Sequence, residues 1–434
     1  MRRTLLSLAL VAACMPPAAK AAWRLDYDLG MGYQYSDNIN LSQTDPISEN
    51  VLIPSVNFSL SETGSVLRAD IAGGLEYYNY LGGEFANELR TNLDADVDWT
   101  IMPERLNWVV SDHLGMEPVN LRAADTPGNM QRTNVFTTGP TLRFNLAPTL
   151  RGRTDLRYVD SYAENSRDFD SSRISAAFRA EWERSTTQQF SAGVEVQDVD
   201  FDYDNLAEDY KRRSAFVGYT HRLTDLNLNI IAGYAWLDFT RGHEASAPFV
   251  RTSLYWTITP NNRIRVAGAW EYSDAATFLA EGAGGIDEEE PGRAAIGGAM
   301  VSPDVYRERR LEASYVHESA RLVATASAFN GRFRYESTLS VYTEDRDERG
   351  GFLDVGYRAR PLLTFGALLN ATRRHYVDSD ERDTTKMYGL YVSHDLSRHW
   401  NWRADVRRLE RESATGTTPT YNENQVFLRL TYRR

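Results

Sequence analysis

One feature constrains this chain above all others: an alternation of period two, sustained over the length of strand needed to cross a membrane. From Arg24 the sequence reads RLDYDLGMGYQYSDNINLSQTD. Leu25, Tyr27, Leu29, Met31, Tyr33 and Tyr35 are apolar or aromatic, and Arg24, Asp26, Asp28, Gly30, Gly32 and Gln34 between them are charged, polar or small. The same step recurs over 67–77, 89–99, 136–146, 174–182, 226–236, 264–272, 363–371 and 426–432. Period two held for roughly ten residues is a β-strand of membrane-spanning length, whereas strands of globular domains run nearer five or six. Successive side chains point to opposite faces, so each strand has one greasy face and one polar face. The mean hydropathy of −0.48 does not argue against lipid, because such alternation averages away. No apolar run reaches 18 residues, so no helical span is encoded. The 24 tyrosines and nine tryptophans suit membrane–water interfaces, and equally sugar binding or sandwich cores.

The connections alternate as well. SETG at Ser61, MPER at Met102, APTL at Ala147, RSTT at Arg184, TPNN at Thr259, RARP at Arg358 and LSRH at Leu396 are short. Between them come longer polar stretches: SDNINLSQTDPISEN, GMEPVNLRAADTPGNMQ, DSYAENSRDFDSS, DFDYDNLAEDYKRR, the segment 273–303, TEDRDERGG, DSDERD and ESATGTTPT. Short periplasmic turns alternating with long outer loops are the rhythm of an outer-membrane barrel. The expected fold is all-β: a single up-and-down antiparallel transmembrane β-barrel of about 20 strands, between about 18 and 22, over residues 22–434. Closure removes sheet edges, which lipid does not tolerate. A soluble sandwich would not need charges opposite every apolar face, and no fixed repeat supports a propeller. Helix signals are confined to AATFLAEG in the longest loop.

The first residues, MRRTLLSLALVAACMPPAAKAAW, read as a secretory signal over 1–21. The residues before Cys14 also fit a lipidation box, but the first strand begins directly behind Ala21 without a polar tether. Cleavage there removes the single cysteine, so no disulfide is expected. Loss of Arg2, Arg3 and Lys20 takes the formal net charge from −12 to about −15. A secreted chain this acidic is a poor nucleic-acid binder.

If the apolar faces meet lipid, the polar faces meet the lumen. Asp94, Asp96 and Asp98 form an acidic row, and Arg143, Arg151, Arg153, Arg157, Arg173 and Arg179 a basic field on the strands that follow. Arg251, Arg263, Arg265, Arg403, Arg407 (beside Asp405) and Arg429 continue it. As candidate pore-lining residues these walls would oppose one another and set a transverse field that selects solutes. They would also stiffen the wall by pairing across strands. The acidic clusters from Asp198, Ile286, Glu344 and Asp378 lack the spacing of a calcium loop and read as solvated loops. The seven histidines are scattered without metal-ligand spacing, and no nucleophile elbow or cysteine nucleophile is present. No catalytic residue, metal site or cofactor is expected.

The stretch GYQYSDNINLSQTD, followed by LIPSVNFSLSETGSVLRADIAGGLEYYNY, joins a strand ending Tyr-x-Asp-Asn-Ile to a polar loop, Pro54 in the returning strand, a Gly turn and a Tyr-rich strand. It resembles the exosortase (PEP-CTERM) system-associated outer-membrane proteins and the related beta-barrel porin 2 group, over about the first sixty residues after the leader. The resemblance implies the outer membrane of a Gram-negative bacterium and a part in exopolysaccharide production and export, with no catalytic residues. The chain departs from outer-membrane habit at its end, RLTYRR, where Tyr432 stands two residues short of the terminus. The expected function is an exit conduit for a secreted exopolysaccharide. A diffusion porin for small charged solutes and a scaffold or receptor with an occluded lumen are the alternatives. Expected partners are outer-membrane lipid and lipopolysaccharide, polysaccharide and periplasmic export proteins, with no nucleic acid.

Overall fold

The computed structural model describes residues 23–203, 205–283, 301–336, 343–414 and 418–434. Residues 1–22, which hold the expected signal segment and Cys14, and the acidic run from Ile286 lie outside the described residues. Twenty strands follow one another: β1 (Arg24–Ser36), β2 (Glu49–Thr63), β3 (Leu67–Tyr80), β4 (Glu88–Met102), β5 (Leu106–Pro118), β6 (Met130–Ala147), β7 (Leu150–Ala163), β8 (Ser171–Ser185), β9 (Gln188–Phe201) and β10 (Tyr210–Arg222). The second half holds β11 (Leu226–Phe239), β12 (Glu244–Thr259), β13 (Asn262–Ser273), β14 (Tyr306–Glu318), β15 (Leu322–Tyr335), β16 (Arg346–Arg360), β17 (Leu363–Tyr376), β18 (Glu381–Asp395), β19 (Trp400–Ser413) and β20 (Tyr421–Arg433). Each pairs antiparallel with its chain neighbours, and β1 closes on β20 from Asp28↔Arg433 to Ser36↔Gln425. The fold is therefore a closed 20-stranded up-and-down barrel.

The nine connections at the end that holds the chain termini are two to four residues long. Five of these hairpins carry a bulge beside the turn, between Thr100 and Met102 for example, which lets a tight turn match the strand twist. The ten connections at the other end run from four residues to the 32 between β13 and β14. The polar stretches of the sequence overstate these loops. Asp160–Ala163, Asp198–Phe201, Arg346–Gly351 and Glu381–Asp383 are strand. Beyond the lipid both faces are polar, so the alternation vanishes while the hydrogen-bond ladder continues. The strands, 12 to 18 residues long, accordingly exceed the nine to eleven that a bilayer needs.

Directly paired residues share a face, and the register puts every apolar series of the sequence outside. Leu29 is 47 % and Leu390 67 % exposed on a surface with no protein to cover them. Aromatic girdles border this belt. Trp99, Trp108, Trp182, Trp256, Trp400 and Tyr432 lie near the short turns, and Tyr33, Tyr77, Tyr158, Tyr234, Trp236 and Tyr388 nearer the long loops. This is the outer surface of a membrane-spanning barrel.

The lumen is not uniformly polar. Towards the long-loop end, β9–β12 turn Val199, Phe216, Leu237 and Phe249 inward into a buried cluster with Ala207 and Val305 from the loops. A second cluster joins Val135 and Ala163 to Phe169, Ala275, Ala276 and Val301, and a third joins Val51, Ile53 and Tyr80. The chain thus has small apolar cores after all, inside its mouth, and loops complete them.

Candidate functional site

The lumen wall is built from arginines that share carboxylates. On β7 Arg153 and Arg157 flank Asp155, at 2.9 and 3.1 Å. On β19 Arg403 and Arg407 flank Asp405, at 2.9 and 3.1 Å. The local sequence is the same both times, Arg-x-Asp-aliphatic-Arg, because period two sends the three charged residues inward and Leu156 or Val406 out to lipid. Each triad holds two cations to one anion. Both carboxylates stand five residues above the start of their strands, and the strands are eight places apart in a ring of twenty, so the triads sit on well-separated walls at similar height. Glu271 is shared in the same way by Arg251 and Arg212, and Glu348 by Arg346 and Arg374.

The remaining candidates also lie on the face opposite the apolar belt. Asp94 is 2.9 Å from His113, Asp96 is directly across from Asp70, and Asp98 accepts from Asn107 at 2.6 Å. Arg143 donates to Asn107 at 2.9 Å, Arg151 pairs with Glu183 at 3.4 Å and Arg179 lies over the Phe216 ring. Arg263 reaches Glu318 at 3.8 Å, Arg265 stands across from Ser314, and Arg429 pairs with Glu76 at 2.7 Å. The acidic row and the basic field do not oppose each other. β4 and β7 are three places apart in the ring, so they form adjoining parts of one wall. Sequence order fixes neighbours in an up-and-down barrel, and consecutive strands cannot face one another across the bore.

Arg173 departs from the lumen pattern. Its guanidinium donates to Asp274 at 2.7 Å, and both side chains are about 95 % removed from solvent. Asp274 opens the β13–β14 loop and is also the N-cap of helix α1 (Ala275–Ala283), accepting from the Thr277 amide at 2.9 Å. Tyr210 of β10 donates to the same carboxylate at 2.7 Å. Burial pushes the Asp274 carboxyl up, but the Arg173 charge and these hydrogen bonds outweigh it and hold the group well below the usual carboxylate range. The helix leaves β13 and packs with Phe169 on the inner side of β6 and β7, six or seven strands away, so α1 reaches across the mouth.

A second strap comes from the β5–β6 loop, 119–129. The Asn129 side chain ties its ends together, its amide oxygen accepting from the Asn120 backbone N–H at 3.0 Å and its amide NH2 donating to the Asn120 carbonyl at 2.9 Å. Arg411 on β19, buried and paired with Asp383 at 2.7 Å, donates to the carbonyls of Ala123 at 2.7 Å and Leu121 at 3.1 Å. Arg122 meets Glu344 and lies 4.6 Å over the Tyr376 ring. Helix α1 and the 119–129 loop thus fold into the mouth instead of standing in solvent. The stretch AATFLAEG was the one signal of α1 in the sequence, and it did not extend to Asp274 as its cap. Nothing local marks Arg173 as its partner 101 residues away.

His113–Asp94 and His375–Asp380 are the histidine–carboxylate contacts among the described residues. No cluster of three or more potential metal ligands occurs among them.

No family model matches the sequence and no curated protein matches it. Among solved structures, the chain is similar to the FrpB iron transporter of Neisseria meningitidis (F5-1 variant), at 10 % identity over 96 % of this chain and 83 % of that one, TM-score 0.47. It is similar to OccK2 (OpdF) of Pseudomonas aeruginosa, solved with glucuronate, at 10 % identity over 95 % and 98 %, TM-score 0.38. It is also similar to a loop-deletion form of OmpT, an outer membrane protein of Vibrio cholerae, at 10 % identity over 95 % and 100 %, TM-score 0.36. Likeness at this level says nothing of what this chain carries.

Proposed function

We propose that the chain is a transport channel of the Gram-negative outer membrane that favours anionic, hydroxyl-rich solutes and is narrowed at its outer mouth by two loop straps. The observation that carries this reading is the pair of Arg-x-Asp-x-Arg triads on separate walls of a closed barrel. The protein as a whole is acidic, at −12, yet each triad has a cation in excess. Charge held on the wall of a water-filled bore acts on passing ions far more strongly than the same charge on an open surface. Guanidinium groups whose other donors are already engaged also present fixed hydrogen bonds to carboxylates and sugar hydroxyls.

A bore of about twenty strands is wide enough, by strand number, for a hydrated glycan. Exit of an exopolysaccharide therefore requires the straps to swing aside on contact with periplasmic export proteins or the polymer itself. With the straps in place the channel would pass small charged solutes. Liposome swelling tests the shared reading: uronic acids should enter faster than neutral sugars of equal size, and Arg157→Glu with Arg407→Glu should reverse the order. Deletion of the gene separates the finer readings. Reduced secreted polysaccharide with normal solute uptake supports export, impaired uptake of a charged nutrient alone supports diffusion, and a channel that never conducts supports the scaffold.

A further inference from the structure

On the outer surface near the long loops, β14–β17 carry a cluster of arginines. Arg307 lies directly across from Arg334, Arg309 from Arg332, and Arg349 from Arg373. Like charges facing across a ladder destabilise a sheet. Arg334 pairs with Asp347 at 2.7 Å and with Asp345 at 3.6 Å. Among the described residues the other five have no carboxylate within ion-pair distance, although Arg309 lies 4.8 Å over the Trp270 ring. On β10, by contrast, the outward Lys211 and Arg213 are neutralised by Asp198 at 3.1 Å and Asp238 at 2.5 Å. Cation repulsion left standing on one sector of an acidic protein is the first sign of an anion site.

Position and shape supply the second. The outward series reads Arg307, Arg309, Leu311, Ala313 down β14, and Arg373, Ala371, Leu369, Ala367 down β17. The arginines thus begin where the apolar belt stops, on the side of the long loops, which is the headgroup level of the outer leaflet. Arg307, Arg309, Arg332 and Arg334 line a hollow of about 190 Å³. An adjoining one of about 300 Å³ is lined by Arg332, Arg349, Arg373 and Arg382 against the two carboxylates Asp347 and Glu348, so cations outnumber anions there too. Two neighbouring cationic hollows above a surface of alanines and leucines suit an amphiphile with two anionic groups and several acyl chains.

We infer that β14–β17 form a docking site for a phosphorylated lipid of the outer leaflet, whose phosphates enter the two arginine hollows and whose acyl chains lie along the small apolar residues beneath. Guanidinium forks match phosphate oxygens two at a time, which lysine cannot do. The bound lipid would relieve the cross-strand repulsion, so binding and barrel stability should rise together.

The test uses the full-length barrel in a neutral detergent and three probes: bisphosphorylated lipid A, the same lipid stripped of phosphate, and inorganic phosphate. Bisphosphorylated lipid A should raise the melting temperature, and the other two should not. Arg309→Gln with Arg332→Gln should weaken lipid A binding at least tenfold by titration, whereas Lys211→Gln with Arg213→Gln should leave it unchanged. Should the double variant fail to fold, Arg373→Gln, which touches only the second hollow, must still weaken binding measurably. An equal response to inorganic phosphate would overturn the lipid assignment in favour of a simple anion site. An equal response to stripped lipid, or undiminished binding by the folded variants, would overturn the site itself.

Discussion

Asp274 lies 2.7 Å from the guanidinium of Arg173, although their strands are five places apart in the ring and the residues 101 positions apart in sequence. One carboxylate thereby caps a helix, neutralises a buried cation and pins a loop across the mouth. Breaking such a pair from one side leaves a buried charge without a partner, which costs about 3–5 kcal/mol.

The pH response of this latch follows from its sign. The folded-state pKa of Asp274 lies below its ordinary 3.8, so the latch's stability is fully present above that value and is lost as the pH falls through the depressed one. Protease protection of the strap on intact cells should therefore be constant from about pH 8 to about pH 5 and fail only in strong acid. Release of the strap near neutrality would mean that another group controls it.

The lipid face makes its own prediction. Leu29→Arg and Leu93→Arg, in the apolar belt, should each destabilise the barrel by roughly 2–4 kcal/mol in reversible unfolding from lipid vesicles. Asp96→Arg, on the opposite face of β4, should change ion selectivity more than stability. Equal losses from all three would show that the lumen at this height is packed as a core.

Inside the wall, Tyr391 lies across Gly366 of the neighbouring strand. A Cβ at Gly366 would come within 2.0 Å of the tyrosine ring, whose hydroxyl donates to Asp354 at 2.9 Å and whose face carries Arg403 at 4.1 Å. Gly366→Ala should therefore displace the ring, unseat Arg403 and lower stability by about 1–3 kcal/mol. Tyr391→Ala in the same chain should recover most of the overpacking loss. Additive losses in the double variant would show that the two residues do not share this space.

How much of this was legible in the sequence depends on which solvent imposed it. Lipid forces strict alternation, so Leu25–Tyr35 and Leu89–Trp99 announce their strands and their facing without any structure. The aqueous ends impose nothing comparable. In Tyr306-Arg-Glu-Arg-Arg-Leu both faces carry charge, so the outward turn of Arg307 and Arg309 is invisible until the register is known. The repeated Arg-x-Asp-x-Arg was readable on β7 and β19, but its meaning depends on closure of the ring. The straps were least legible, because a loop's destination depends on partners such as Arg173 and Arg411 that stand far away in sequence. The resemblance to exosortase-associated barrels agrees with the barrel fold and goes no further than that.

Single-channel conductance in planar bilayers tests most directly whether the channel is narrowed by a strap that Asp274 holds. Wild-type protein should conduct in small, steady steps. Asp274→Ala should conduct in larger or flickering steps, and a charge swap, Arg173→Asp with Asp274→Arg, should return conductance towards the wild-type size. Identical steps in all three proteins would contradict the latch, and no conductance from any of them would contradict the channel.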